Sequence, residues 1–132
     1  MKLLTSYFSC RLIDRRKMLL VQISNSVPKG FTPDTGFPEA IPDWRSIVAP
    51  YKDGNISEEE YTIRYVKQLE GRRPSIDRAV RRLETMSALQ KKTPVLLCYE
   101  KPGDFCHRHI LAKWLRKNYG VEVEELREPE LF

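Results

Sequence analysis

Apolar residues in this chain cluster with two different periods, and the places where the period changes outline its elements. Residues 2–8 (KLLTSYF) and 17–24 (KMLLVQIS) are short runs of strand composition. The second is almost continuously apolar, as a strand covered on both faces requires. Residues 93–100 (TPVLLCYE) form a third and stronger run. Residues 121–126 (VEVEEL) alternate apolar and acidic positions, the pattern of an edge strand with one wet face.

Between these runs the spacing becomes helical. In NISEEEYTIRYVKQLEGR, Ser57 is followed three residues later by Glu60, the arrangement of a capping box, and Tyr61, Tyr65 and Leu69 recur every fourth residue up to a stop near Gly71. After Pro74, Ser75 is placed to cap a second helix whose stripe is Ile76, Ala79, Val80, Leu83 and Met86. Arg78, Arg81 and Arg82 fall mostly on its other side and read as a solvated basic face. A third helix is predicted from His107 to Tyr119. Ile110, Leu111, Trp114 and Leu115 share its inner face, cations sit in its last turn, and Gly120 ends it.

The order strand, loop, strand, long loop, two helices, strand, helix, strand predicts a three-layer α/β fold, a mostly parallel, Rossmann-like sheet flanked by helices. A length of 132 residues suits a single α/β domain. Residues 26–50 hold Pro28, Pro33, Pro38, Pro42 and Pro50 with Gly30 and Gly36, and read as a long irregular loop with at most a turn around Trp44. Its Phe31, Phe37 and Trp44 suggest a segment that packs over something, as a lid does.

Composition narrows the class. No segment approaches the roughly 18 consecutive apolar residues of a membrane span, and MKLLTSYFSCRLIDRRK lacks the long apolar stretch and small-residue cleavage site of a secretory signal. The expectation is a cytoplasmic protein with no membrane association. Three cysteines in a reducing compartment argue for free thiols or metal ligands rather than a disulfide framework, and Cys10 reads as a small buried apolar residue. The net charge of +5 is uneven. Residues 121–132 carry five Glu against one Arg, −4, which leaves +9 on residues 1–120. Such a body favours anionic partners, a small molecule or a nucleic acid. No motif reads out the oligomeric state.

The chemically versatile residues are concentrated in one stretch, LLCYEKPGDFCHRHI, which joins the carboxyl end of the third strand to the start of the third helix. Ligands gather at such junctions in open α/β sheets, where free N–H groups and the positive helix end attract anions. A thiol at Cys106 is stabilised as thiolate by the same dipole, with help from Arg108 and a protonated His107 or His109, which makes Cys106 a candidate nucleophile. Cys98 and Glu100 share a strand parity and project to one side. Glu100 can act as base or orient a histidine, and Cys98 can face Cys106 across the turn, although a buried apolar role for Cys98 is as good a reading. His107 and His109 diverge by some 200° on one helix, and His107 is preferred as acid/base. Arg108 either binds an anionic substrate or pairs with a carboxylate such as Asp104.

Zinc fits the spacing poorly, since structural sites show two close pairs of ligands. No metal ligand is assigned and no cofactor follows, although a three-ligand catalytic site among Cys98, Cys106, His107 and His109 stays open. No Arg follows either cysteine at the Cys-x5-Arg spacing of a phosphatase loop.

The Cys-x-Glu of Cys98 and Glu100 with the Cys-His-Arg of Cys106, His107 and Arg108, preceded by ISNSVPKGF and ISEEEYTIRYVKQL, resembles the domain of unknown function 488 family of small bacterial and phage proteins. The resemblance covers most of the chain and implies an α/β fold with a shared polar site, without implying a particular reaction. Many members carry an Asp and an Arg near the end of the second strand, where this chain has QISNSVP with Gln22, Ser24, Asn25 and Ser26. That departure points to a branch with different chemistry or one that only binds. Tyr7 and Ser24, ending the first two strands, are further candidates for substrate binding. The resulting expectation is an enzyme acting on a phosphorylated or nucleotide-like substrate, with Cys98, Glu100, Cys106 and His107 catalytic and Arg108 binding the anion. The alternatives are a nucleic-acid-binding or regulatory module and a metal-dependent hydrolase.

Overall fold

The computed structural model describes residues 1–100 and 103–129. Lys101 and Pro102 of the strand–helix junction, and residues 130–132 of the acidic terminus, lie outside the described residues. The strands are β1 (Lys2–Tyr7), β2 (Met18–Gln22), β3 (Thr35–Gly36), β4 (Thr93–Cys98) and β5 (Glu122–Glu125), and the helices are α1 (Ala49–Lys52), α2 (Glu58–Gly71), α3 (Arg73–Gln90) and α4 (His107–Tyr119). All strand pairs are parallel and the order is β3-β2-β4-β1-β5. β4 is central, which is why its residues from Pro94 to Cys98 are all buried. β5 is an edge, as its alternation predicts.

The fold is a three-layer α/β arrangement with the sheet in the middle. On one face Leu3, Leu19, Val21, Ile23, Leu96, Cys98 and Val123 form a single core with the apolar stripes of α2, α3 and α4. Strand alternation sends Leu20, Val95 and Leu97 to the opposite face. Phe8, Ile13 and Phe31 from connecting segments cover them there, with no helix in that cluster. Burying the fully enclosed leucines and isoleucines of the larger core contributes roughly 1.5–3 kcal/mol each.

Local chemistry accounts for most element ends. Ser57 Oγ accepts from the Glu60 N–H at 3.0 Å and starts α2. The start of α3 corrects the expectation at Ser75: Arg72 ends α2 and opens α3, Pro74 lies in the first turn, and Ser75 sits inside the helix, accepting from Arg78 Nη2 at 3.1 Å. Proline belongs in a first turn because its missing N–H has no intrahelical partner to lose. Gly120 ends α4 at φ +64°, in the left-handed region that glycine enters without a Cβ clash.

Residues 26–50 are more ordered than their breakers suggest. They contain β3, a 3-10 turn at Pro38–Ala40 and a π-helical turn at Trp44–Val48. Asp34 brackets Leu20 with two hydrogen bonds, and the Phe37 N–H bonds the Gln22 carbonyl at 2.9 Å. From α2, the Tyr65 hydroxyl donates to the Ala40 carbonyl at 2.6 Å, and Gln68 bonds Ile41 and Asp43. Breaker-rich backbone is thus satisfied by a two-residue ladder to β2 and by side chains from α2, which period reading cannot detect. Among the described residues no helix is long and apolar enough to cross a membrane.

Candidate functional site

Three segments meet beyond the carboxyl ends of β1, β2 and β4: the end of β4 with Glu100, the first turn of α4, and the residues after β2. Between them and the Trp44–Val48 turn lies a cleft of about 240 Å³, bordered by Ser24, Asn25, Trp44, Tyr99, Glu100 and His107 among others. A second hollow of about 210 Å³ shares Val48, Lys52, Tyr61, Glu100 and His107 with it and reaches Cys106. Together they have the scale of a small-molecule site. Tyr51, Tyr61 and Phe105 form its apolar wall, each ring edge-on to the next at 5.0–5.3 Å between centroids. Burial raises the Tyr61 phenol well above its ordinary range, and the nearby Glu100 charge adds to the effect, so Tyr61 is a neutral hydroxyl here.

Cys106 is the N-cap of α4. Its backbone is extended and its Sγ accepts the Arg108 N–H at 3.5 Å, which places the sulfur at the positive end of the helix. Parity at the end of β4 turns Cys98 toward the same point, and the two sulfurs are in direct contact. Their Cα atoms are 7.8 Å apart, wider than the roughly 4.4–6.8 Å that a disulfide spans, which makes them two apposed sulfurs rather than a closed bridge. His107 Nδ1 faces Cys106 Sγ at 3.8 Å, while His107 Nε2 donates to the Ile23 carbonyl at the end of β2. Burial lowers the imidazole to about 4, so His107 is neutral. The expectation that a protonated histidine supports the thiolate is therefore corrected for His107, because burial disfavours the charged ring and the neighbouring guanidinium adds to this, while the Ile23 carbonyl offsets them only in part. His109 is exposed and points away, and burial with the Arg108 charge lowers it as well.

Arg108 is the largest fully buried side chain of the chain's described part. Its guanidinium forms a bidentate pair with Glu125 (2.9–3.2 Å) and donates to Cys98 Sγ at 3.0 Å and to the Glu100 carbonyl. The partner proposed from sequence, Asp104, is exposed; Glu125 takes that place. Arg108 holds the site together from behind and does not border the cleft. Tyr7 is on that hidden side too, its ring 6.0 Å from the guanidinium, whereas Ser24 borders the cleft and donates to the Ser26 carbonyl. The structure thus brings together Cys98, Glu100, Cys106, His107 and Arg108, and separates Tyr7 from Ser24.

Sequence reasoning missed Glu125. The signal was there: Val121, Val123 and Glu125 share one parity, so an alternating edge strand carries one carboxylate inward, and Thr5 Oγ1 bonds it at 2.6 Å. The aromatic wall carried no local signal, because its rings come from α1, α2 and the turn before α4.

A parallel α/β fold with a buried cysteine–histidine–arginine cluster at the carboxyl edge of its sheet defines the class. The chain belongs to the domain of unknown function 488 family: residues 14–119 match the family described as the active DUF488-N3 subclade. The match takes in β2 through α4, and with them every cleft residue named above. No curated protein and no solved structure gives a significant match.

Proposed function

We propose that residues 1–132 work as one α/β domain and as an enzyme acting on a phosphorylated or nucleotide-like small molecule held in the cleft. The observation that carries this reading is the convergence of Cys98, Cys106 and His107 within 4.8 Å of one another at a hollow that Glu100 also borders. Glu100 is the acid/base of this reading, and the sulfur–imidazole cluster is the reacting end. Arg108 is a positioning residue, since its donors are spent on Glu125, Cys98 and a carbonyl.

The substrate class follows from the rest of the lining. Trp44 and Tyr99 are large aromatic side chains left half exposed, at 50% and 45%, and both border this cleft. Rings in that position offer faces on which a base stacks. Lys52 supplies a cation for a phosphate, and Ser24 and Asn25 supply hydrogen bonds. The description of the family as active agrees with an intact reacting end. A cytoplasmic, reducing setting keeps the sulfurs as thiols.

The test is a panel of nucleoside 5′-phosphates and sugar phosphates with the wild type, Glu100→Gln and Cys106→Ser. Turnover reduced about 100-fold or more in both variants, with substrate still quenching the fluorescence of Trp44, supports the enzyme. Oligonucleotide binding that falls steeply with salt and survives Cys106→Ser, with no turnover of any probe, favours a nucleic-acid-binding module instead.

A further inference from the structure

The reacting end has a composition and a surrounding that the enzyme reading leaves unused. Among the described residues it is the one cluster of three potential metal-ligand side chains, and all three are buried, at 0%, 4% and 7% exposure for Cys98, Cys106 and His107. We propose that Cys98 Sγ, Cys106 Sγ and His107 Nδ1 bind one divalent ion of the zinc class, leaving a fourth coordination position open to the cleft. This rests on the functional reading only for the role of that open position.

Four observations support it. The first is the set of donors: two thiolates and one imidazole with a vacant fourth position is a donor set of catalytic zinc sites, and thiolate with imidazole selects zinc over the oxygen-seeking cations. The second is separation. Ligand bonds of about 2.0–2.3 Å in a tetrahedron put donor atoms roughly 3.5–3.8 Å apart, and His107 Nδ1 already stands 3.8 Å from Cys106 Sγ. The two sulfurs are closer together than this and separate on taking an ion between them, for which the 7.8 Å between their Cα atoms leaves room.

The third is the outer shell. Metal-bound histidine uses its other ring nitrogen to donate to a carbonyl or carboxylate, which sets the tautomer and aims the free lone pair. His107 does this through Nε2 to the Ile23 carbonyl, so Nδ1 is the nitrogen turned toward the sulfurs. Each sulfur also accepts one N–H from Arg108, Cys98 from the guanidinium and Cys106 from the backbone. The fourth is charge. Two thiolates balance the divalent ion and Glu125 balances Arg108, so the buried centre is neutral as a whole, which removes the main cost of burying it. Cys106 and His107 border the hollow together with Glu100, so a water or substrate oxygen on the open position meets the carboxylate that the functional reading uses as acid/base.

The experiment uses the full chain, prepared reduced and metal-free, and titrates it with cobalt(II), then with zinc(II) in competition. Expected are one cobalt per chain, a sulfur-to-cobalt charge-transfer band with the intense visible bands of a tetrahedral ion, and displacement by one zinc. His107→Ala weakens binding by at least 10-fold, Cys106→Ser removes much of the charge-transfer intensity, and Cys10→Ser, which lies outside the cluster, changes neither. The wild-type titration does not depend on any variant folding. Absence of stoichiometric uptake by the reduced wild type, or uptake without a charge-transfer band, overturns the proposal. Metal binding with no turnover of any nucleoside phosphate or sugar phosphate would leave the metal site standing and remove the enzyme reading. Turnover by the reduced wild type together with no metal uptake would do the reverse.

Discussion

Arg108 shows how far a single side chain's role depends on its surroundings. A cation beside a cysteine and a histidine reads as an anion clamp, yet complete burial has turned its donors inward to Glu125, Cys98 and the Glu100 carbonyl. A buried guanidinium is tolerated only when paired, because desolvation of an unpaired charge is costly. Glu125→Gln is therefore expected to destabilise the chain by about 3 kcal/mol, read as a lower urea midpoint with an unchanged m-value. Loss below about 0.5 kcal/mol would show that the pair is not what holds Arg108. The identity of Cys98, Glu100, Cys106 and His107 as neighbours was legible from their spacing around one turn. The neutrality of His107 was not, because it comes from burial in the folded core beside Arg108, which outweighs the opposing pull of the Ile23 carbonyl that β2 delivers from 84 residues away.

At the level of elements, the long periodic segments were readable and the short ones were not. α2 and α4 match the expected stripes and stops because each carries its own cap and its own apolar face. α3 departs at its start, where continuity from α2 through Arg72 overrides the local signal of Ser75. β3 is two residues long and owes its place to Asp34 and Gln22, so no alternation announces it. The end of α3 is the clearest case of a local cost. Lys91 holds φ +53°, a left-handed conformation that a Cβ makes unfavourable. Lys91→Gly relieves it and is expected to stabilise the chain by about 0.5–1 kcal/mol, seen as a rise in the thermal midpoint. A fall would mean that the lysine side chain contributes more than its backbone costs.

Across the whole molecule, β4 is flanked by β2 and β1 and covered on both faces, while β3 and β5 each have an open edge. Amide exchange is expected to be slowest in β4, opening only with global unfolding, and fast in β3, which opens locally. Comparable protection of β3 and β4 would contradict this layering. The parallel α/β class, four of the five strands, and the junction that carries the chemistry were determined by the chain itself, since periodicity, caps and strand parity act between residues close in sequence. Strand order, the pairing of Glu125 with Arg108, the aromatic wall and the hydrogen bond from His107 to the Ile23 carbonyl that aims its ring were decided only in three dimensions. Each depends on side chains brought together from distant segments, and the free energy that selects among such meetings comes from burial and charge compensation, which no local pattern encodes.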